Sequence, residues 1–382
     1  MTTRFILIGG FLGAGKTTAI ARLASMHAAL GQQVAIVTND KAPALVDTWN
    51  LSAQGYQVAE LAGTCFCGNI DQLIEAVEGF RLTRMPDVIL AEPVGSCLDL
   101  VATVVRPLAD RKVGAYEVAP LAVLLKPSHG LRILSGTPNL GFSPKAAYLF
   151  RKQIEEADFV ALNRIDQLSP SEIEDLSGLL VREYPETPVV RISARTGAGF
   201  DEFLRRLSEP RASNGRRLDV DYEAYAAGEA ELAWLNAGLI LRAPQPLAVD
   251  ACLVEFAKSL RSRLSAGGLE IAHIKVLGSG DGRSSVVNLI GNEPPAEMSR
   301  ASGATANSVH LTINARVAGD PEQLSAIVRH CVDELCGPRG IEVSWHQLRS
   351  FRPGRPEGHS PLALLTAKDG DRSAGDSTRP AP

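Results

Sequence analysis

A glycine-rich segment near the start of the chain carries the residues with the clearest chemistry. It reads Gly10-Phe11-Leu12-Gly13-Ala14-Gly15-Lys16-Thr17, after the apolar run 5–8 and before a helical pattern that ends at Gly31. Its glycines let backbone N–H groups approach a phosphate chain at a helix N-terminus. Lys16 would reach the β- and γ-phosphates, and the Thr17 hydroxyl would bind Mg²⁺. The spacing predicts a P-loop, with nucleotide contacts from Gly10, Gly13, Ala14, Gly15, Lys16, Thr17 and Thr18.

The base would be selected by Asn163-Arg164-Ile165-Asp166, which closes a strand-like run. A carboxylate at Asp166 can accept hydrogen bonds from guanine N1–H and its exocyclic amine, a pattern that adenine does not offer. Arg164, where this motif usually has lysine, can cover the base by stacking. The later segment Ser193-Ala194-Arg195 can present a backbone N–H to guanine O6. In this order after a P-loop, the two segments predict GTP rather than ATP as the nucleotide.

A second phosphate-side motif is the segment 87–95, which reads Asp-Val-Ile-Leu-Ala-Glu-Pro-Val-Gly. Its apolar part predicts a buried strand that ends in Glu92, placed to hold Mg²⁺ directly or through water. Gly95 can offer its N–H to a γ-phosphate, so this segment would sense hydrolysis. The pair Asn39-Asp40 either shares this rim or forms a plain turn. We predict the catalytic residues to be Lys16, Thr17 and Glu92. Because no water-positioning glutamine or arginine finger can be recognised near Glu92, unassisted GTP hydrolysis should be slow.

Two cysteines one residue apart lie in Gly63-Thr64-Cys65-Phe66-Cys67-Gly68. Both can point into one site as soft ligands for Zn²⁺, Co²⁺ or Cu⁺. Cys97 follows Glu92 by five residues, and parallel strands would bring both loops to the same carboxyl edge of a sheet. We predict Cys97 as a third ligand, with Ser96 capping a helix that begins at Leu98 and favours the thiolate. The alternative is that Cys97 is only a small residue packed under its loop.

Taken together, these motifs resemble the CobW-type branch of the P-loop GTPases, whose relatives include the HypB and UreG nickel chaperones. The matching segments are 9–18, 63–68, 92–95 and 163–166, and the resemblance covers roughly residues 4–208. It implies a GTPase that binds a transition metal and couples GTP state to metal delivery or to maturation of a client metalloenzyme or corrinoid protein. Two positions depart from the family. Gly68 replaces the third thiol of a Cys-x-Cys-Cys loop, and Lys126 stands where relatives usually carry an acidic residue.

Two other functions remain open on the residues alone. One is a metal-independent, GTP-dependent regulator or activator of a cobalamin-dependent enzyme. The other is a metal-independent ATPase, which would require a different role for Asp166. We expect GTP and Mg²⁺ as cofactors, with Zn²⁺ or Co²⁺ as the candidate transition metals at Cys65, Cys67 and Cys97. The oligomeric state stays open, with a homodimer among the alternatives.

Composition excludes several partners. The chain has 382 residues, a hydrophobic content of 45% and a net charge of -4, without a long basic block, so nucleic acid is not an expected partner. No run approaches the ~18 apolar residues of a membrane-spanning helix. Six cysteines in a chain of this size favour free thiols or metal ligands over a disulfide framework. We therefore expect a cytoplasmic protein with no membrane partner.

Strand-like runs alternate with helical stretches over the first half of the chain. This alternation predicts an α/β fold, with a mostly parallel P-loop GTPase sheet flanked by helices, followed by a smaller C-terminal α+β domain. Between 309 and 317, apolar residues alternate with polar ones, so one face of that strand should be buried and the other polar. We expect a GTPase domain over 1–210, a linker over 211–231, the α+β domain over 232–352 and a disordered tail over 353–382.

Overall fold

The computed structural model describes residues 2–40, 51–52, 54–62, 65–109, 116–135, 144–211 and 218–353. Gly63 and Thr64 of the predicted thiol loop lie outside the described residues, as does the expected tail from 354 onward. The side chain of Asp40 is also outside them. None of the helices in the described ranges is long and apolar enough to span a bilayer.

The first sheet is parallel throughout its described pairs. Its strands are β1 (Thr3–Gly10), β2 (Val34–Asp40), β3 (Gln57–Ala62), β4 (Val88–Glu92), β5 (Tyr116–Val118), β6 (Ala122–Leu125), β7 (Phe159–Leu162) and β8 (Val189–Arg191). They follow the order β3-β2-β4-β1-β6-β7-β8, and β5 pairs with the start of β1. The helices around them are α1 (Lys16–Ala29), α2 (Ile70–Thr83), α3 (Arg106–Ala109), α4 (Pro127–Leu134), α5 (Pro144–Glu156), α6 (Pro170–Glu183) and α7 (Phe200–Ser208).

Helices cover both faces of this sheet, which explains why its strands are apolar almost without interruption. In β1, Phe5 and Leu7 belong to one buried apolar cluster, whereas Ile6 and Ile8 belong to another on the opposite face. Because the nucleotide of such a fold binds outside the carboxyl ends of the strands, the loops after β1, β3, β4 and β7 lie at the edge that matters for function.

The second sheet is antiparallel. After α8 (Tyr222–Ala230), its strands are β9 (Leu232–Ala248), β10 (Glu270–Gly280), β11 (Arg283–Leu289), β12 (Glu297–Arg300), β13 (Thr305–Ala318) and β14 (Glu342–Phe351), with helices α9 (Val249–Ala266) and α10 (Pro321–Cys336). The strand order is β12-β11-β10-β13-β9-β14. One face of this sheet packs on α9 and α10, because Ile274 and Val276 share an apolar cluster with Leu260 and Val328. The predicted fold class, an α/β GTPase sheet with a C-terminal α+β domain, is confirmed.

The expected linker 211–231 differs from the structure, because much of it is helix α8. Asp221 caps this helix by accepting hydrogen bonds from the N–H groups of Glu223 and Ala224. Tyr225 is 2% exposed, and Gly228 lets the helix approach α5 closely, since a Cβ there would lie 2.9 Å from the Lys145 carbonyl oxygen. The segment lacks an apolar stripe, so its polar composition concealed a helix that tertiary packing stabilises.

Two short strands also went unpredicted. Strand β5 covers three residues and β12 covers four, and each pairs with only part of its neighbour. Both are too short for alternating hydrophobicity to identify them.

Candidate nucleotide and metal site

The predicted P-loop joins β1 to α1 in the required geometry. Gly15 has a φ of 93°, in the left-handed region, and a Cβ at this position would lie 2.5 Å from Asn163 Nδ2. Only glycine fits both conditions. Lys16 and Thr17 begin α1, and Lys16 Nζ donates a 2.9 Å hydrogen bond to the Gly10 carbonyl oxygen. Gly13, Gly15, Lys16, Thr17 and Thr18 line one cleft of about 400 Å³, while Ala14 is buried behind it.

Glu92 and Thr17 meet in this cleft. The Thr17 hydroxyl donates to Glu92 Oε1 at 3.0 Å, and both side chains are buried. A hydroxyl and a carboxylate oxygen are hard donors of the kind that Mg²⁺ takes, so the residues fit this ion. Gly95 lies against the P-loop, because a Cβ there would be 2.7 Å from the Leu12 side chain. The segment after β4 is therefore packed directly on the phosphate-binding loop.

The base-side residues lie together at the ends of β7 and β8. Asp166 is exposed, and its Oδ1 accepts a 2.6 Å hydrogen bond from Ser193 Oγ, which orients the carboxylate. The Arg164 guanidinium lines the cleft and forms a 3.1 Å ion pair with Glu297 of β12. Strand β12 of the C-terminal sheet thus contacts the loop that follows β7.

Asn163 and Ala194 occupy positions that differ from those we expected. Asn163 is 1% exposed, and its Nδ2 donates to the Ala14 carbonyl oxygen at 2.8 Å while its Oδ1 accepts from the Ala194 N–H at 2.9 Å. Asn163 therefore braces the P-loop against the base loop. Because the Ala194 N–H already donates to Asn163, it is not available as the N–H donor that we expected for guanine O6.

The three predicted thiols converge although they come from two separate loops. The Sγ atoms of Cys65, Cys67 and Cys97 all lie within 4.8 Å of one another, and the Cys67–Cys97 pair is 3.9 Å apart. Two thiolates on one tetrahedral Zn²⁺, with Zn–S bonds of about 2.3 Å, would be about 3.8 Å apart. The residues therefore fit a soft metal ion. Cys97 supplies a third thiol in place of the one that Gly68 removes from the loop.

Buried side chains hold these two loops in place. Asn39 accepts from the Phe66 N–H at 2.9 Å and donates to the Leu61 carbonyl oxygen at 3.0 Å. Gln153 of α5 donates to the carbonyl oxygens of Gly95 and Cys97, both at 3.0 Å. The thiol loop and the Glu92 loop are thus each fixed by an amide side chain from the GTPase sheet or its helices.

The expected helix cap at Ser96 is wrong. The helical turn after this loop is π-helical and begins at Val101, and the Ser96 hydroxyl donates to Glu229 Oε1 at 2.5 Å. Cys97 therefore does not start a helix. Hydrogen bonding from Cys65 and Cys67, followed by burial, raises the pKa of Cys97 well above its ordinary value. A bound metal ion would reverse this preference, because it takes the thiolate form as its ligand.

Sequence reasoning missed the contribution of α8 to this site. The Tyr225 hydroxyl lies 3.8 Å from Cys67 Sγ, and Tyr222 donates to Asp99 Oδ2 at 2.9 Å. With Glu229 bonded to Ser96, α8 contacts the thiol site and the loop 96–99 at three positions before it leads into β9. Positions 222, 225 and 229 are three and four residues apart, so they share one face of a helix. This spacing indicates a common site only after the segment has been recognised as helical.

Lys126, the second departure from the family pattern, links the two sheets. It follows β6, and its ammonium donates to the Ile290 carbonyl oxygen and lies 3.0 Å from His129 Nε2. Burial, with smaller contributions from Arg164 and Arg132, lowers the pKa of Lys126 to about 7. A carboxylate here could not donate to the Ile290 carbonyl oxygen, so this contact depends on the lysine.

The parallel sheet, the P-loop at the start of α1 and the carboxylate after β7 define a P-loop nucleotide-binding protein of the GTPase type. Residues 4–191 match the family described as CobW/HypB/UreG, nucleotide-binding domain. The N-terminal part of the chain therefore belongs to the CobW-type P-loop GTPases, and the resemblance carried by its motifs is confirmed.

Two curated relatives are zinc chaperones. The chain is 32% identical to the zinc chaperone YeiR of Escherichia coli (strain K12) over 178 residues, which cover 44% of this chain and 48% of that protein. It is 27% identical to the zinc chaperone CobW of Pseudomonas aeruginosa over 210 residues, or 47% of this chain and 53% of that protein. The chain thus spans about half the length of the curated relatives it matches.

Two solved structures are similar at low identity. The Zn(II)-bound YjiA GTPase from E. coli aligns over 88% of this chain and 99% of its own, with 15% identity and a TM-score of 0.38. HypB from Helicobacter pylori in complex with nickel aligns over 57% of this chain and 92% of its own, with 17% identity and a TM-score of 0.40.

Proposed function

We propose that this chain is a GTP-binding and GTP-hydrolysing metallochaperone, which couples nucleotide state to transition-metal delivery or to the maturation of a metalloenzyme or cobalamin-dependent enzyme. One observation carries the proposal: Cys97 lies five residues beyond Glu92 on the same segment and completes a cluster of three thiols. A change in the 92–95 segment on GTP hydrolysis would shift Cys97 relative to Cys65 and Cys67. The similarity to relatives named as zinc chaperones supports this function.

The nucleotide roles follow from the positions of the side chains. Lys16 would bind the β- and γ-phosphates, and the Asp166 carboxylate would accept the two guanine donors while Arg164 covers the base. Thr17 and Glu92 would hold Mg²⁺, which neutralises charge on the phosphate oxygens when bound. Asn163, Ser193 and Ala194 would orient the base loop. Because the sequence motif around Glu92 includes no recognisable glutamine that would orient the attacking water, we propose that hydrolysis without a partner is slow.

The metal would be cargo held by Cys65, Cys67 and Cys97, with Zn²⁺ and Co²⁺ both compatible with three thiolates. We propose a client metalloenzyme or corrinoid protein as the recipient. All six cysteines are free thiols, which supports a reducing, cytoplasmic location. We propose the domain limits 1–210 and 232–352, with α8 as an ordered connection between them.

The experiment combines nucleotide binding with metal content. Wild type, Lys16→Ala and Cys65→Ser would be purified under reducing conditions, and GTP binding, GTP hydrolysis and retained Zn²⁺ measured on each. We expect wild type to bind both ligands, the Lys16 variant to lose GTP hydrolysis, and the Cys65 variant to lose metal alone. A wild type that binds GTP but no Zn²⁺ or Co²⁺ would instead support the metal-independent regulator, and a preference for ATP would refute the base assignment.

A further inference from the structure

The C-terminal sheet presents a polar face to the nucleotide cleft. In β10, Ile274 and Val276 point into the apolar cluster with α9 and α10, so Lys275 between them points to the opposite face. Lys275 pairs in register with Asn314 of β13, and Arg316 lies two residues further along the same strand. All three side chains line the cleft that also contains Lys16 and Thr17. This face is therefore part of the nucleotide site.

Packing fixes this face against the GTPase domain. Arg316 is 4% exposed, its Cζ lies 4.0 Å from the ring centroid of Trp234, and its Nη1 donates to Asn236 Oδ1 at 3.0 Å. Trp234, on β9, is fully buried in the apolar cluster that contains Phe5 and Leu7 of β1. The two sheets thus share a core beneath the cleft, and the position of Lys275 is set by packing on both sides of it.

Lys275 reaches the phosphate end of the cleft directly. Its Nζ donates to Thr17 Oγ1 at 3.1 Å, while the same hydroxyl donates to Glu92 Oε1 at 3.0 Å. The hydroxyl of Thr17 is the group that a P-loop offers beside the β- and γ-phosphates. A lysine ammonium is a compact charge on a flexible stem, so it can transfer its hydrogen bond from this hydroxyl to a neighbouring phosphate oxygen.

The surroundings are positively charged, as an anion site requires. After burial, the charges of Lys275, Lys16, Lys126 and Arg164 lower the pKa of His273 well below its ordinary value. His273 is on the same strand as Lys275 and near Gly13 of the P-loop, since its Cβ lies 4.0 Å from the position of a Cβ on Gly13. Cations from both domains therefore converge on this end of the cleft.

We propose that Lys275 is a nucleotide-binding residue that distinguishes GTP from GDP by pairing its ammonium with the γ-phosphate. The inference rests on the proposed GTP-binding function. It assigns to the C-terminal domain a charge of the kind that an arginine finger supplies. The γ-phosphate then attaches β10 to the P-loop, and its loss on hydrolysis releases the C-terminal sheet from one of its contacts.

The test is a pair of dissociation constants, for GDP and for a non-hydrolysable GTP analogue, measured with Mg²⁺ present. The variants are Lys275→Met, Lys275→Arg and Lys258→Met, the last removing an exposed lysine on α9 as a matched control. Loss of a charge-assisted hydrogen bond should weaken binding of the GTP analogue by about ten- to a hundred-fold in Lys275→Met, with GDP affinity unchanged. Lys275→Arg should recover part of this affinity, and Lys258→Met should equal wild type.

The proposal is overturned if Lys275→Met leaves both affinities unchanged, or if it weakens GDP and the GTP analogue equally. Equal weakening would mean that the side chain supports the fold or the shared phosphates. Thermal unfolding of Lys275→Met checks that it folds, and Lys275→Gln replaces it if it does not. If wild type binds neither nucleotide, the proposed function itself fails. If wild type prefers the GTP analogue and Lys275→Met keeps that preference, only this inference fails.

Discussion

Replacing Cys97 with serine removes one of three sulfur atoms from the proposed metal site. The Cys67–Cys97 separation of 3.9 Å is close to the value of about 3.8 Å for two thiolates on one tetrahedral Zn²⁺. A serine hydroxyl in its place is a shorter and harder group, which suits a soft metal poorly. Because loss of a residue that hydrogen-bonds a metal ligand already reduces metal affinity by about 10–100-fold, loss of a direct ligand should reduce it at least as much.

Co²⁺ titration measures this directly through the thiolate-to-metal charge-transfer band. We expect Cys97→Ser to lose about one third of the band intensity, since one of three thiolates is gone, together with the loss of affinity. Cys252→Ser is the matched control, because Cys252 is also buried but lies in the C-terminal core. Identical spectra and affinities for Cys97→Ser and Cys252→Ser would refute the three-thiol site and leave Cys97 as a packed core residue.

Three further predictions concern the base, the thiol site and a buried acid. Asp166→Asn should shift nucleotide preference from GTP toward xanthosine triphosphate by about five- to a hundred-fold in competition assays. The control is Asp175→Asn, which changes an exposed carboxylate on α6 and should leave the preference as in wild type. Tyr225→Phe, which removes the hydroxyl 3.8 Å from Cys67 Sγ, should weaken Zn²⁺ binding about tenfold without changing GTP affinity. An unchanged Zn²⁺ dissociation constant would exclude a role for this hydroxyl. Burial raises the pKa of Glu156 from 4.5 to about 8. Between these two pH values, the folded chain keeps a proton that the unfolded chain releases. The unfolding free energy of wild type should therefore fall relative to Glu156→Gln as pH rises, by at most about 4–5 kcal/mol, and parallel pH profiles in urea denaturation would contradict this.

Local spacing was enough to predict the nucleotide loop and the convergence of the thiols. Gly15 and Lys16 are required by the conformation and charge of a phosphate site, so the residue types identify the loop without tertiary information. Cys65 and Cys97 could be brought together because loops that follow parallel strands emerge at one edge of the sheet. That rule fixes the edge but not the distances, which depend on Asn39 and Gln153 holding the two loops.

Tertiary packing determined what the sequence did not reveal. Helix α8 contains alanine and tyrosine but no large aliphatic side chain, and its buried Tyr225 and Glu229 contact the thiol loop and Ser96. The alternation in β13 predicted a polar face, but polar faces usually meet water. Nothing local indicates that Arg316 and Lys275 of this sheet would instead close the nucleotide cleft.

The central claim is that nucleotide state and metal binding are coupled through the 92–97 segment. It is tested most directly by measuring the Zn²⁺ dissociation constant of the full chain with GDP and with a non-hydrolysable GTP analogue. Coupling free energies between sites are typically about 1–3 kcal/mol, so we expect the two constants to differ by about 5- to 150-fold. Zn²⁺ should change the affinity for the GTP analogue relative to GDP by the same factor, because linkage is reciprocal. Equal Zn²⁺ dissociation constants in the two nucleotide states would contradict the account.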